Sequence, residues 1–274
     1  MNAEEQTLYN DFVKDYRTRN TITNIIVIFG VVICSIFTIV TKNLFVLLVM
    51  LLIALILIIF VPKYMRMIYA VTLIKKIYAK AENQCDSKTY YHVCKALCEK
   101  YPKNAVLVEH YIYSLQIDEN DYSELKGALK RFNSYQKEVF YILAYMKVLS
   151  EEEQKNFFEQ HYEKIKDFYD RRYLKTKEII YPVLIEILRY KLNEEYEEEL
   201  KLYALIKDEE SKLSRAMYTY NEAICLNHLG NQKECEELLV YVVREGNTLR
   251  VKYLAEEYLK EMHPEMLEQN DKTI

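Results

Sequence analysis

Hydrophobic residues run almost unbroken from position 22 to position 62, and Lys42 is the only charge among them. The run divides at Thr41, Lys42 and Asn43 into residues 22–40 and 44–61. A helix rising about 1.5 Å per residue crosses about 30 Å of hydrocarbon in roughly 20 residues, and each half is close to that length. Backbone groups in lipid have no water to bond, so each half is predicted to be a helix. The polar residues between them suit a tight turn. The expectation is a transmembrane helical hairpin with both ends on one side.

The spans contain no Asp, Glu, Arg, Lys or His, which argues against an ion or proton path through the hairpin. Gly30, Cys34 and Thr38 fall four apart. Small residues on one face let a neighbouring helix approach closely. That neighbour is either the other half of the hairpin or a second membrane helix.

Outside the apolar run the period changes. In residues 1–20, Leu8, Phe12, Val13 and Tyr16 recur at helical spacing among charges. They predict a short amphipathic helix or an extension of the first span, lying on the membrane or packing on the C-terminal part. After residue 80 apolar positions recur every three or four residues. Ser150 with Glu153, and Asn231 with Glu234, have the capping-box spacing of helix starts. Asn193 precedes an acidic run, residues 194–199, read as a solvated helix start whose acids favour the positive end. The predicted helices cover 87–100, 104–117, 121–133, 136–149, 151–170, 174–192, 194–208, 212–229, 231–244 and 248–261. Pro182 kinks or delays the sixth of these.

The division expected is an arm (1–20), the hairpin (21–62), a basic juxtamembrane helix (63–84), a helical-repeat domain (85–263) and a flexible tail (264–274). The fold class is all-α.

Charge then orients the hairpin. Lys14, Arg17 and Arg19 precede it, and Lys63, Arg66, Lys75, Lys76 and Lys80 follow it with no acid before Glu82. The positive-inside bias puts both termini in the cytoplasm, as a two-span protein of the cell membrane. A cleaved signal peptide is disfavoured by the length of the run, the second span and the lack of an A-x-A-like site. The five bases after the second span are candidate membrane-surface residues, attracted to anionic headgroups; the alternative is that they only enforce topology.

Residues 1–80 hold nine bases and four acids, against 28 and 37 beyond, a net of −9. An acidic body is a poor nucleic-acid binder. The composition, rich in Lys, Ile, Glu, Asn and Tyr, fits an AT-rich bacterial genome.

Short helices joined by short turns are the pattern of stacked helix pairs. Ala223, Leu226, Gly230, Cys235, Leu239 and Val242 resemble the tetratricopeptide repeat in their spacing: small and large residues on a first helix, Gly in the turn, and small and large residues on a second. A segment with Cys94, Leu97 and Pro102 is similar to the end of one repeat running into the next. The departures are Cys235 for Ala, the larger Val242, Asn247 where Pro is common, and no Trp anywhere. The resemblance implies an α-solenoid of antiparallel pairs, a TPR-like fold, whose concave face is lined by the first helix of each pair. On that basis Met217, Tyr220, Asn227 and His228, with Tyr111 and Ser114, are candidate partner-binding residues. A tyrosine ring offers area, and Asn can bond an extended peptide.

Catalytic chemistry is not visible. The five histidines are scattered, and there is no P-loop, no G-x-G-x-x-G and no H-E-x-x-H. Cys94 and Cys98 share a helix face near Cys85 and His92, but no C-x-x-C pair exists and His92 points away at i,i+2. Buried thiols packing as small apolar residues are preferred to zinc there and at Cys225 and Cys235. No cofactor and no metal is expected. The expectation is a non-enzymatic scaffold or adaptor, anchored in the lipid bilayer, that binds a cytosolic protein or peptide. The alternative is a subunit of a membrane transport, secretion or immunity complex, with a membrane-protein partner or a second copy against the hairpin.

Overall fold

The computed structural model describes residues 1–41, 43–118, 122–132, 138–206 and 211–263. Lys42 and the tail after His263 lie outside them. Twelve helices and no strand occur among the described residues: α1 (Ala3–Thr41), α2 (Leu44–Gln84), α3 (Ser87–Lys100), α4 (Ala105–Ile117), α5 (Tyr122–Phe132), α6 (Glu138–Met146), α7 (Glu151–Thr176), α8 (Ile180–Leu192), α9 (Tyr196–Ile206), α10 (Lys212–His228), α11 (Gln232–Glu245) and α12 (Arg250–Met262). They form two units, Met1–Tyr78 with His92–His110 and Ala79–Tyr91 with Tyr111–Ile274. The N-terminal arm lies in the first unit with the apolar helices.

In the first unit the arm and the first apolar stretch are one helix of 39 residues. Its start is a reciprocal cap. Glu5 N–H donates to Asn2 Oδ1 at 2.9 Å, and Asn2 N–H donates to Glu5 Oε2 at 2.6 Å. Glu5, Tyr9 and Tyr16 follow at helical spacing and meet residues 92–110, with Phe12 and Val13 buried beside them. His92 donates from Nδ1 to Glu5 at 2.8 Å, Lys100 donates to the Tyr9 hydroxyl at 3.1 Å, and Asn104 donates to the Tyr16 hydroxyl at 3.2 Å. The rings of Tyr16 and Tyr101 stand 5.0 Å apart.

Further along, the same helix turns a narrow stripe toward α2. Thr23 is buried and its hydroxyl lies 2.9 Å from that of Tyr69. Arg19 sits over the Tyr69 ring at 5.6 Å. A Cβ on Gly30 would stand 3.0 Å from Leu57 Cδ1, and Val27 and Cys34 are buried. The small-residue stripe is thus used inside the hairpin. Every other face is apolar and exposed. In the most apolar windows of α1 and α2, 11% and 0% of residues are buried, and both helices are long and apolar enough to cross a membrane. The hydroxyls of Thr21, Ser35, Thr38 and Thr41 each donate to the carbonyl four residues back. Pro62 lies inside α2 and cannot donate to the Ile58 carbonyl.

In the second unit each helix from α6 to α12 packs on the next. Helices in the middle of the stack bury two faces. Ile185 of α8 joins Ile142, Phe158 and Ile165, whereas Val183 and Ile187 join Tyr203, Ile206 and Cys225. On α10, Cys225 faces α9, while Ala223 and Leu226 close on Cys235, Leu239 and Val242 of α11 and Ala255 of α12. Few glycines serve the turns. Lys177, Glu194 and Asn247 take positive φ (62°, 59° and 45°), as Gly230 does at 80°. A left-handed non-glycine residue costs about 1 kcal/mol.

The last turn of this unit returns to its first. Thr248 N–H donates to the Cys85 carbonyl at 3.2 Å, Asn247 donates from Nδ2 to the Gln84 carbonyl at 2.9 Å, and Lys88 N–H donates to Thr248 Oγ1 at 3.1 Å. Ser87, fully buried, donates to the Thr248 carbonyl at 2.5 Å and lies 3.0 Å from Asp118 Oδ1. Thr248→Val removes the hydroxyl that caps α3. Chemical denaturation of the detergent-solubilised protein should register a loss of about 1–3 kcal/mol. Thr176→Val, at an exposed site, should stay within about 0.5 kcal/mol of the parent.

Candidate functional site

The six residues assigned to a groove from the repeat pattern do not share one surface. Ser114 is fully buried and donates to the Tyr111 carbonyl at 2.7 Å. Tyr111 is buried too. Its hydroxyl donates to Glu124 Oε1 at 2.7 Å, and Tyr91 donates to the other oxygen at 2.6 Å. Tyr220 is half-buried against the α10–α12 core, where burial, with Tyr258 and Glu257 beside it, pushes its phenol up to about 12. Asn227 reaches the Tyr258 hydroxyl at 3.4 Å. His228 is exposed and stacks on Tyr196, ring centroids 4.1 Å apart and planes 4° apart. Met217 is half-buried on α10. Tyrosine recurs at helical spacing in a core as readily as on a groove wall, because its ring packs while its hydroxyl finds an acceptor.

The bases after the second apolar stretch all lie on α2. Lys63, Arg66, Lys75 and Lys76 are exposed and Lys80 is half-buried, and Ala70, Leu73, Ile74, Ile77 and Ala81 of the same helix are buried. All six cysteines are buried and none is in a disulfide. Among the described residues no group of three or more His, Cys, Asp or Glu side chains gathers as a metal site.

No family model matches this chain, and no curated protein or solved structure matches it. Its candidate sites therefore rest on its own geometry.

One polar group falls where periodicity did not place it. The acidic run was expected to be solvated, and Glu197 and Glu198 are exposed, but Glu199 turns inward and is 2% exposed. Tyr203 donates to its Oε1 at 2.7 Å, and the Cys225 thiol bonds it as well. Burial raises the Glu199 carboxyl above its ordinary range, against these hydrogen bonds and the charges of Lys191 and His228. Burial, then the neighbouring Glu199, lifts the Cys225 thiol to about 12. Such a cluster holds protons between α9 and α10; it does not supply a thiolate nucleophile. A four-residue step from Tyr203, on the face shared with Leu200 and Ile206, was the signal available in sequence.

A second buried carboxyl is set the opposite way. Burial would raise Glu5, but hydrogen bonds from His92 and Asn2, and the positive charges of His92 and the N-terminus, bring it below its ordinary 4.5.

These two groups give opposite pH dependences. Glu5 has a lowered folded pKa, so its contribution is whole above its unfolded value and is lost as pH falls through the folded one. Glu5→Gln should make the arm more sensitive to limited proteolysis at neutral pH and should abolish its acid-triggered release. Glu199 has a raised folded pKa, so stability falls as pH climbs from its unfolded value through the folded one. Glu199→Gln should flatten that slope in denaturant titrations run from mildly acid to mildly alkaline pH. An unchanged slope would show Glu199 ionised at no cost.

Proposed function

We propose that this protein is a two-span membrane anchor that presents a TPR-like stack of helix pairs to a cytosolic protein partner. The observation that carries the reading is the exposure of the apolar helices: 0% of the most apolar window of α2 is buried. An apolar surface of that extent in water is a liability, whereas in a bilayer it is at rest. The bonded hydroxyls and the polar turn at Asn43 are consistent with burial in hydrocarbon. The bases at 14–19 and 63–80 all lie at the ends remote from that turn, which supports both termini on the cytoplasmic side.

The TPR-like reading is supported by one cluster. Ala223, Leu226, Cys235, Leu239 and Val242, the residues of the repeat pattern, meet in a single core between α10 and α11. The partner surface is drawn from a different place than the pattern implied. Outside α1 and α2, the exposed large apolar residues among the described ones are Tyr173, Leu174, Ile179, Leu205 and Val240, and three of these stand at the α7–α8 turn. An apolar tip rimmed by Lys175 and Lys177 suits an acidic partner with an apolar anchor. The rival reading, a subunit whose hairpin contacts other spans, has less to draw on, because the Gly30 stripe is occupied by α2.

Two measurements test the proposal. In intact cells, Asn43→Cys should react with a membrane-impermeant thiol reagent and Asn2→Cys should not; the six native thiols are buried and give little background. Labelling at position 2 from outside would overturn the topology. Affinity capture of the full chain from its native membrane should recover a cytosolic protein, and Leu174→Ser with Ile179→Ser should lose it by about tenfold or more. Tyr220→Ala with Asn227→Ala is the comparison: loss there instead, with the helical signal intact, would return the partner to the groove.

A further inference from the structure

Within the first unit, a groove of about 1040 Å³ opens where α2 passes Pro62. Its floor is apolar, formed by Ile58, Ile59 and Phe60 on the turn before the proline. Its rim is basic, with Lys63 and Arg66 from α2 and Lys103 from the turn between α3 and α4. No acid lines it. The three bases are exposed and make no ion pair among the described residues. The first turn of α4, at Ala105 and Val106, also faces the groove, and a helix N-terminus carries partial positive charge. On the wall, the Tyr101 hydroxyl is enclosed and has no hydrogen-bond partner in the protein. A buried donor without a partner is uncommon and asks for a reason.

Depth identifies what such a groove meets. If α2 starts at one face with Leu44, residues 44–61 rise about 27 Å, close to the thickness of the hydrocarbon layer. Ile58–Phe60 then lie at its edge and Lys63 and Arg66 at the level of the headgroups. We infer that the groove is a binding site for an anionic glycerophospholipid, its phosphate held by Lys63, Arg66 and Lys103 and its upper acyl chain lying on Ile58, Ile59 and Phe60. This rests on the membrane reading above and adds to it a defined site, distinct from the general attraction of a basic helix to a charged leaflet. Lys75 and Lys76 lie on the same helix but do not line the groove. They provide the internal control.

The test uses the full chain reconstituted into vesicles of phosphatidylcholine with phosphatidylglycerol. Spin-labelled phosphatidylglycerol and spin-labelled phosphatidylcholine report how much of each lipid is immobilised at the protein. The wild type should immobilise the anionic lipid in preference. Lys63→Gln, Arg66→Gln and Lys103→Gln together should cut that preference by up to about a hundredfold, from roughly fivefold per base. Lys75→Gln with Lys76→Gln should leave it nearly intact. No preference in the wild type, or an equal loss in both variants, would overturn the site. So would loss of the preference on adding inorganic phosphate at constant ionic strength, which would mark a pocket for a free phosphate. Failure to enter vesicles of phosphatidylcholine alone is a different result: it would sink the anchor reading, and the lipid site with it.

Discussion

A helix end buried in protein must find partners for backbone groups that no later turn will satisfy. At the start of α3 those partners come from the far end of the chain. Ser87, Lys88 and the carbonyls of Gln84 and Cys85 are bonded by Asn247 and Thr248. A stack of helix pairs ordinarily has two loose ends, each stabilised from one side only. Here the turn before α12 is fastened to the turn before α3, so the terminal pair gains a second neighbour. The cation of Arg250 over the Tyr122 ring, 4.3 Å from its centroid, adds a further link from α12 to α5. Closure of this kind makes the body of the second unit a cooperative whole instead of a string of separately melting pairs.

The first unit is organised by a different economy. One helix serves as both arm and first apolar stretch, with two stripes on one cylinder. The lower stripe, from Glu5 to Tyr16, is polar enough to meet residues 92–110 through hydrogen bonds. The upper one, Thr23, Val27, Gly30 and Cys34, is small enough to let α2 approach. Since the helix is continuous between them, neither stripe can rotate without carrying the other.

Much of this was legible in the chain. Apolar length and the break near Asn43 located the two long helices. Apolar period and capping residues such as Ser150 and Glu153 located the ends of the shorter ones to within a few residues, apart from the longer C-terminal reach of α7; the late start of α8 is the delay that Pro182 implied. What was not legible has physical causes. The contacts of Thr248 span about 160 positions of sequence and leave no local pattern. Tyr111 and Tyr220 read as groove residues in the repeat pattern, but the acceptor that turns Tyr111 inward is Glu124, a residue no periodicity pairs with it. Glu199 stands in a row of acids and differs from its neighbours only in the direction it faces. The cap between Asn2 and Glu5 has the same spacing as the one at Ser150, yet its second role, bonding His92, needs the fold, and the same spacing at Asn231 forms no side-chain cap at all.

Pro62 brings one mechanical consequence. A proline within a helix deletes a rung of the hydrogen-bond ladder, and helices bend most easily at such a gap. In α2 the missing rung joins Ile58 to Pro62, with the apolar stretch on one side of it and the basic, amphipathic stretch on the other. A lateral load on the apolar stretch is therefore relieved there first, where Ile58, Lys63 and Arg66 form one wall of the groove. The most compliant point of the long helix is thus placed at the groove, so that in the bilayer proposed for these helices a change in thickness or tension would reach the cleft there first.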